Sequence, residues 1–171
     1  MSATEQVLAQ QVDVRMSTER KPYHYVGAGL SNVYLIGVAY RVDRATALQS
    51  ADIPSLPALL DAIARVLLTK RAALSGDEMR FLRKRLRMAS KDFAGFVGVS
   101  VEQYSRLENG ATVTATVDRV VRLLYVALAK LPSEAAEAVA RTSWTAEMNR
   151  EERIVASQDE NRNWVVKTKA A

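Results

Sequence analysis

The stretch from Ser90 to Gly110, SKDFAGFVGVSVEQYSRLENG, constrains the fold of this chain more than any other. Gly98 stands between two short helical patterns, where a tight turn needs the positive φ that glycine adopts freely. Ser90 and Ser100 stand where a side-chain hydroxyl can accept a bond from an unpaired N–H at the start of each helix. Ala94 is small enough to let two helices nearly touch. The stretch therefore predicts two short helices joined by a tight turn.

Apolar and polar residues divide this stretch into two faces. The predicted inward positions are apolar or aromatic: Phe93, Val97, Val99, Tyr104 and Leu107. The predicted outward positions are polar: Glu102, Gln103, Ser105, Arg106 and Asn109. A helix-turn-helix separates its packing face from the face that lies in the major groove of DNA in the same way.

Basic residues are concentrated around this motif. Residues 1–61 carry 5 basic and 6 acidic side chains, residues 62–132 carry 13 and 6, and residues 133–171 carry 6 and 7. The whole excess of the chain's net charge of +5 therefore lies in the middle segment. Such a segment favours a polyanionic partner, because neutralising phosphates releases counterions and drives binding.

Composition excludes several classes of function. The chain has no cysteine and a single histidine, His24, so disulfides, thiolate zinc sites and histidine-rich metal sites are not expected. No metal, cofactor or catalytic motif is predicted, and the chain is interpreted as not an enzyme. No signal peptide or membrane-spanning apolar run is recognised, so a cytoplasmic protein without membrane contact is expected. A structural or surface role is expected for His24.

The sequence predicts a mainly α protein of the α+β class with four segments. Residues 1–21 are predicted to be a flexible arm, and residues 22–72 a small antiparallel β module plus a helix, for dimerisation or partner binding. Residues 73–145 are predicted to form a five-helix DNA-binding domain, and residues 146–171 a tail with a possible β-hairpin. Within the β module, strands are predicted at Tyr23–Tyr25 and Asn32–Val42.

Helix boundaries follow from caps and apolar spacing. Ser55 or Leu56 is predicted to cap the first helix, which carries an apolar stripe from Leu59 through Leu68. A capping box formed by Ser75 and Glu78 opens a helix predicted to run to about Met88. Two further helices are predicted, at Val117–Lys130 and, with Ser133 as its cap, to about Thr142. The first of these is apolar enough to form core or a dimer interface. The tail hairpin is predicted to pair Arg153–Ala156 with Trp164–Lys167 across a turn at residues 159–161.

The segment Phe81 to Leu124 resembles the phage-repressor-like helix-turn-helix domains of bacterial regulators, the Xre family. The matching patterns are FLRKRLRM, then KDFA followed two residues later by VGVS, then SRLENG. The upstream sequence YHYVGAGLSNVYL, followed by a short β segment, Ile-Pro and a helix, is similar to the N-terminal module of MqsA-like antitoxins. That module usually holds zinc through two pairs of cysteines, which this chain lacks, so no metal is implied here.

The Xre resemblance implies which residues contact DNA. The second residue of the motif's first helix, Lys91, is expected to contact a phosphate of the DNA backbone. The family's base-contacting positions correspond to Ser100, Val101, Glu102, Ser105, Arg106 and Asn109. Tyr104 fills an inward position that usually holds Ile or Val, and this larger ring can tilt the recognition helix.

The residues themselves add further candidates. Arg106 can donate two parallel bonds to a guanine, or instead pair with Glu102 at i−4. Gln103 can pair with adenine or remain an exposed helix residue. Glu108 is expected to bond within the domain. Phosphate contacts are also predicted for residues next to the motif, which could otherwise be a solvated helix face: Ser90, Arg80, Arg83, Lys84 and Arg87.

These observations favour a sequence-specific, DNA-binding transcriptional regulator, a dimeric repressor acting on an inverted repeat at its own or a neighbouring promoter. One alternative is an antitoxin that neutralises a toxin and autoregulates its operon. A second is a protein-interaction module that no longer binds DNA. The basic excess argues against the second alternative.

Overall fold

The structure is a computed structural model that describes residues 12–142 and 152–170. Within these ranges the protein is a mixed α+β fold with six helices and two small sheets. The strands are β1 (Val12–Met16), β2 (Tyr23–His24), β3 (Val33–Ile36), β4 (Ala39–Asp43), β5 (Gln49–Ala51), β6 (Glu152–Gln158) and β7 (Trp164–Ala170). The helices are α1 (Leu56–Thr69), α2 (Gly76–Arg85), α3 (Ser90–Val97), α4 (Val101–Glu108), α5 (Ala115–Leu128) and α6 (Ser133–Arg141).

The first sheet corrects the prediction that residues 1–21 form a flexible arm. Residues 12–16 are the strand β1, which pairs with β4 in an antiparallel sheet of order β1-β4-β5. Its apolar residues alternate with charged ones, Asp13 and Arg15, which is the pattern of a strand with unlike faces. The run of five residues was too short to be separated from a polar arm. Residues 1–11 lie outside the described residues.

The second sheet joins the N-terminal module to the tail. Its order is β2-β3-β6-β7, and β3 pairs with β6 in parallel, with Val33 opposite Ile154. The predicted tail hairpin is confirmed, because β6 and β7 pair antiparallel from Glu152–Ala170 to Gln158–Trp164. In the described part of the predicted tail at residues 146–171, this hairpin completes the sheet begun by β2 and β3.

The predicted strand Asn32–Val42 is wrong as a single element. It is divided at Gly37, whose φ of 78° lies in the left-handed region that interrupts an extended strand. The N–H of Gly37 donates to the carbonyl oxygen of Ser17, and the N–H of Ser17 donates to the carbonyl oxygen of Val38. The chain therefore leaves the second sheet after β3 and enters the first sheet with β4.

Helix α1 covers the core side of the second sheet. The predicted apolar stripe is confirmed, since Leu59, Ile63 and Leu67 are fully buried. The indole N–H of Trp164, at the start of β7, donates to the carbonyl oxygen of Pro54 at 2.9 Å. Of the two predicted cap residues, Ser55 is the N-cap of α1, but its φ is 49° and its side chain makes no capping bond.

The predicted boundary between residues 72 and 73 is not a break in packing. Arg122 on α5 donates to the carbonyl oxygens of Leu67, Lys70 and Ala72. Leu67 lies in the last turn of α1, and the other two residues lie just after this helix. The Lys70 ammonium contacts both carboxylate oxygens of Glu78 on α2, at 2.8 and 2.6 Å. The β module and the helices that follow it therefore share one core.

The helices from α2 to α6 agree with the sequence except at some ends. The capping box of α2 is confirmed, because the Ser75 hydroxyl accepts from the N–H of Glu78 and the Glu78 carboxylate accepts from the N–H of Ser75. Helix α2 ends at Arg85, before the predicted Met88. The predicted cap of α6 is wrong: Pro132 is the N-cap residue, and no side chain caps this helix. Across the described residues, no helix is long and apolar enough to cross a membrane.

Candidate nucleic-acid interface

Helices α3 and α4 form the two-helix unit that the sequence predicts. Gly98 ends α3 with a φ of 81°, as expected for a residue that reverses the chain after a helix. The N–H groups of Gly98 and Val99 both donate to the carbonyl oxygen of Ala94, at 3.0 and 3.1 Å. These two bonds satisfy a carbonyl that the helix end would leave unpaired and fix the direction in which α4 begins.

The buried side of this two-helix unit is formed by the predicted inward residues. Phe93, Ala94 and Tyr104 are fully buried, and Leu107 is nearly so. The rings of Phe93 and Tyr104 meet edge to face, with centroids 5.5 Å apart and planes at 63°. This geometry is the favourable one for an aromatic pair, so it fixes α4 against α3.

The two predicted caps of this unit have different outcomes. The Ser100 hydroxyl accepts from the N–H of Gln103 at 3.1 Å, which confirms Ser100 as the N-cap of α4. The prediction for Ser90 is wrong, because α3 begins at Ser90 and its N-cap residue is Ala89. The N-cap must have extended dihedrals, and Ala89 takes them here, with φ −68° and ψ 151°.

The residues predicted to contact bases are exposed. This set is Ser100, Val101, Glu102, Gln103, Ser105, Arg106 and Asn109. The guanidinium of Arg106 makes no hydrogen bond or ion pair with any described residue, including Glu102. Arg106 therefore makes no close ion pair with Glu102, although its charge acts on that carboxylate, and no described residue occupies the five N–H donors of the guanidinium.

Glu102 carries a negative charge on this otherwise uncharged or basic face. Hydrogen bonds from its own backbone N–H and from the Ser100 hydroxyl, together with the nearby charge of Arg106, hold the pKa of Glu102 below its usual range. Its carboxylate is therefore ionised at neutral pH. An ionised carboxylate repels phosphates, so it restricts which surfaces α4 can approach closely.

Asn109 is held within the protein more firmly than the other candidate base-contacting residues. Its amide nitrogen donates to the carbonyl oxygen of Ser105 at 2.8 Å, and its amide oxygen accepts from Arg80 at 3.1 Å. Both ends of the amide are engaged, so Asn109 closes the end of α4. A base contact from Asn109 would have to replace one of these bonds.

Two of the residues predicted to contact phosphates are instead engaged inside the protein. Arg80 donates to Asp77 and to the carbonyl oxygen of Glu108, and Arg83 contacts both carboxylate oxygens of Glu108. The prediction that Arg83 lies outward is wrong, because Arg83 is largely buried. The expected structural role of Glu108 is confirmed, because it ties the end of α4 to α2.

The N-terminus of α2 lies directly against the end of α4. A Cβ atom on Gly76 would lie 2.6 Å from the carbonyl oxygens of both Leu107 and Glu108. Only glycine permits this approach without moving the backbone. Arg80, Arg83 and Gly76 together therefore hold α4 from its inner side and leave its outer face uncovered.

The remaining predicted phosphate contacts lie on the surface. Lys84, Arg87 and Lys91 are exposed and make no side-chain bond with the described residues, whereas Ser90 is half-buried. Eight basic side chains of residues 62–132 are exposed and outside any ion pair: Arg65, Arg71, Lys84, Arg87, Lys91, Arg106, Arg119 and Lys130. Only two acidic ones are, Asp92 and Glu102. Internal pairing therefore increases the basic character of the free surface.

Sequence reasoning missed two features of this part of the chain. Phe96 on α3 is 56% exposed, and with Val101, a predicted base-contacting residue, it adds apolar area to the surface of the two-helix unit. Apolar groups such as Val101 can contact the methyl group of thymine.

The buried pair of Asp118 and Arg122 was also missed, although their i,i+4 spacing in an apolar helix is a detectable signal.

His24 is in a surface role, as expected. Its Nε2 atom lies 2.7 Å from the carbonyl oxygen of Ser31, and its ring stacks on Tyr34 with centroids 5.0 Å apart. In residues 12–142 and 152–170, no group of three or more His, Cys, Asp or Glu side chains is arranged to hold a metal ion.

Comparison with protein families, with curated proteins and with solved structures found no match to this chain. What the candidate interface can do therefore has to be argued from its own geometry and charge.

Proposed function

We propose that this protein is a sequence-specific DNA-binding regulator, which places the exposed face of α4 in the major groove. In this proposal α2–α6 act as the repressor-like helix-turn-helix domain. A dimer covers an inverted repeat at the protein's own or a neighbouring promoter and blocks transcription by occlusion.

The observation that carries the proposal is the position of Arg106. It is exposed and unpaired on a helix whose opposite face is fixed by Phe93 and, from α2, by Arg83. A rigid helix with a free guanidinium is suited to bidentate contact with guanine O6 and N7, which discriminates by roughly 1–3 kcal/mol. A guanidinium held in an internal ion pair would not support this role.

The charges around α4 support the same proposal. Lys91 lies at the second position of α3, Lys84 lies in the last turn of α2, and Arg87 lies between α2 and α3; all three side chains are exposed. Contacts from such residues position a protein on the duplex without reading its sequence. The ionised carboxylate of Glu102 opposes close approach to phosphates, so the support comes from the basic residues around it.

The test is a titration of the protein against the duplex upstream of its own gene and against a scrambled duplex, read by fluorescence anisotropy at two salt concentrations. We expect a preference for its own duplex on the order of 1000-fold. Arg106→Ala should abolish most of that preference, whereas Arg20→Ala should not. Arg20 is an exposed arginine in the loop between β1 and β2, so this control removes the same charge away from α4.

Lys91→Ala separates positioning from sequence recognition. It should weaken binding to both duplexes by a similar factor and reduce the salt dependence by about one counterion. Equal binding of the unmodified protein to both duplexes, steeply reduced by salt, would contradict a sequence-specific regulator. That result would favour action through a protein partner such as a toxin.

A further inference from the structure

The edge strand β1 exposes an apolar surface. Val14 is 70% exposed and Met16 is 59% exposed, and with Val12 they occupy alternate positions, so they lie on one face of the first sheet. Among the described residues, β1 pairs only with β4, which leaves its other edge open. Proteins usually avoid apolar, unpaired edge strands, because such strands pair with other chains.

The backbone N–H and C=O groups of alternate β1 residues are directed so that they can bond to another strand. The N–H of Ser17 donates to the carbonyl oxygen of Val38, and the N–H of Asp43 donates to the carbonyl oxygen of Leu48. Bonded pairs alternate along an antiparallel ladder, so Asp13 and Arg15 are the β1 residues that bond to β4. The N–H and C=O groups of the intervening residues are directed to the open edge: Val12, Val14 and Met16.

We infer that this edge binds β1 of a second copy of the chain, antiparallel and about a two-fold axis at Val14. In this register Val14 faces Val14 of the other copy as a hydrogen-bonded pair. Val12 faces Met16 of the other copy, and Met16 faces Val12. All outward N–H and C=O groups of the edge are then used, and the sheet becomes a continuous one of six strands.

Charge complementarity selects this partner. Within one copy, Asp13 forms ion pairs with Arg44 and, at 3.4 Å, with Arg15. The same register adds Arg15 of the other copy opposite Asp13, and Asp13 of the other copy opposite Arg15, in the non-bonded pairs where side chains are closest. Apolar residues therefore meet apolar residues on one face, and opposite charges meet on the other. A two-fold interface requires a surface that is complementary to itself, and the sequence VDVRM has this property.

The inference does not rest on DNA binding. The proposed inverted-repeat operator would require a two-fold dimer, but the pairing inferred here follows from the residues and the open edge of β1 alone. Its test contains no DNA, so failure of the dimer and failure of the DNA-binding proposal are seen in separate experiments.

Charge-reversal variants give the sharpest test. In a dimer of Arg15→Asp, carboxylates would face carboxylates at both charged pairs. In a dimer of Asp13→Arg, guanidinium groups would face guanidinium groups. Each variant alone should therefore self-associate at least about 10-fold more weakly. An equimolar mixture of the two variants restores opposite charges at every pair and should form a heterodimer. Sedimentation velocity over a micromolar concentration series would measure this against the chain mass of 18.9 kDa.

A cross-link tests the register. The chain has no cysteine, so Val14→Cys can form a disulfide only between two copies. A hydrogen-bonded antiparallel pair has Cα atoms about 5.5 Å apart, within the range that a disulfide spans. Val26→Cys is the matched control, because Val26 is 63% exposed and outside β1. We expect mild oxidation to cross-link the first variant and not the second.

Three results would overturn the inference. The first is a chain that stays monomeric through the micromolar range. The second is a dimer in which Val14→Cys cross-links no better than Val26→Cys. The third is a monomer whose Val14 N–H is protected from hydrogen exchange, which would mean that a segment of the same chain already occupies the edge.

Discussion

Arg83 and Glu108 form a bidentate ion pair, with Nε and Nη2 of the guanidinium 2.7 and 3.0 Å from the two carboxylate oxygens. Both side chains are largely buried. The pair joins α2 to the end of α4, the helix proposed to enter the major groove. The pKa of Arg83 is raised, chiefly by its hydrogen bonds to Glu108, so its charge is secure at any pH the protein meets.

Removing one partner of this pair should destabilise the protein strongly. Glu108→Ala leaves the Arg83 guanidinium buried without a carboxylate, and we expect the free energy of unfolding to fall by about 3 kcal/mol. Urea denaturation followed by circular dichroism would measure it. The control is Glu137→Ala, which breaks the exposed pair of Glu137 and Arg141 and should cost only about 0.5 kcal/mol. Equal losses in the two variants would contradict a structural role for the buried pair.

Two glycines near the interface should respond in opposite directions to alanine. In Gly76→Ala the new Cβ would overlap the carbonyl oxygens of Leu107 and Glu108, which are backbone atoms, so α2 and α4 must separate. We expect a loss of about 1–3 kcal/mol, together with weaker binding to the protein's own duplex.

Gly95→Ala is the matched control on α3. A Cβ at Gly95 meets nothing within 4 Å. Because alanine favours a helix over glycine, this variant should gain about 0.5–1 kcal/mol in the free energy of unfolding. Thermal denaturation of both variants would measure the difference. A stable Gly76→Ala variant with unchanged DNA binding would show that α4 tolerates the displacement.

Local signals in the sequence were sufficient for the two-helix unit. The positive φ of Gly98, the cap at Ser100 and the burial of Tyr104 each depend on residues within a few positions of one another. The same holds for the capping box of Ser75 and Glu78. Such features are determined by backbone sterics and by helix periodicity, which the sequence displays directly.

Pairing between distant segments could not be read from the sequence. The parallel register of β3 with β6 brings Val33 to Ile154, and nothing local to either strand specifies that partner. Likewise, the basic run of α2 gave no sign that Arg83 turns inward while Lys84 stays in solvent, because the partner, Glu108, lies on another helix. The sequence therefore identified the exposed face of α4, but it did not reveal the support that α4 receives from α2.

Titration of Tyr104 should lower the stability of the protein at alkaline pH. Burial raises the pKa of Tyr104 above its ordinary value of 10.0, and the Glu108 carboxylate acts in the same direction. The folded state thus holds the phenolic proton more tightly than the unfolded chain. Tyr104 therefore leaves the free energy of unfolding unchanged below about pH 10. Above that pH, its titration lowers the free energy of unfolding by up to about 1.4 kcal/mol per pH unit.

Tyr104→Phe tests both the titration and the hydroxyl itself. The hydroxyl is buried close to the Arg83–Glu108 pair, but it makes no hydrogen bond of normal geometry with a described residue. Phenylalanine should therefore leave the free energy of unfolding at pH 7 unchanged or raise it by about 1 kcal/mol, and should reduce its slope above pH 10. Urea denaturation from pH 7 to pH 11 would measure this. A loss of stability at pH 7 would indicate that the hydroxyl has a partner, such as a bound water.

Asp118 should be as important for stability as any apolar core residue. Its carboxylate accepts from the guanidinium of Arg122 at 2.9 and 3.1 Å and from the N–H of Leu74 at 2.6 Å, and both charged side chains are fully buried. Asp118→Asn removes the negative charge that bonds to two nitrogens of the buried Arg122 guanidinium. We expect a loss of about 3 kcal/mol in the free energy of unfolding.

The same variant should loosen one identified bond outside α5. The N–H of Leu74 loses a charged acceptor, so its hydrogen exchange should accelerate more than that of core amides such as Leu82 on α2. The control is Arg119→Gln, because Arg119 is exposed beside Asp118 and forms no ion pair. Unchanged exchange at Leu74 in Asp118→Asn, despite a lower stability, would mean that the loop between α1 and α2 is held by Arg122 alone.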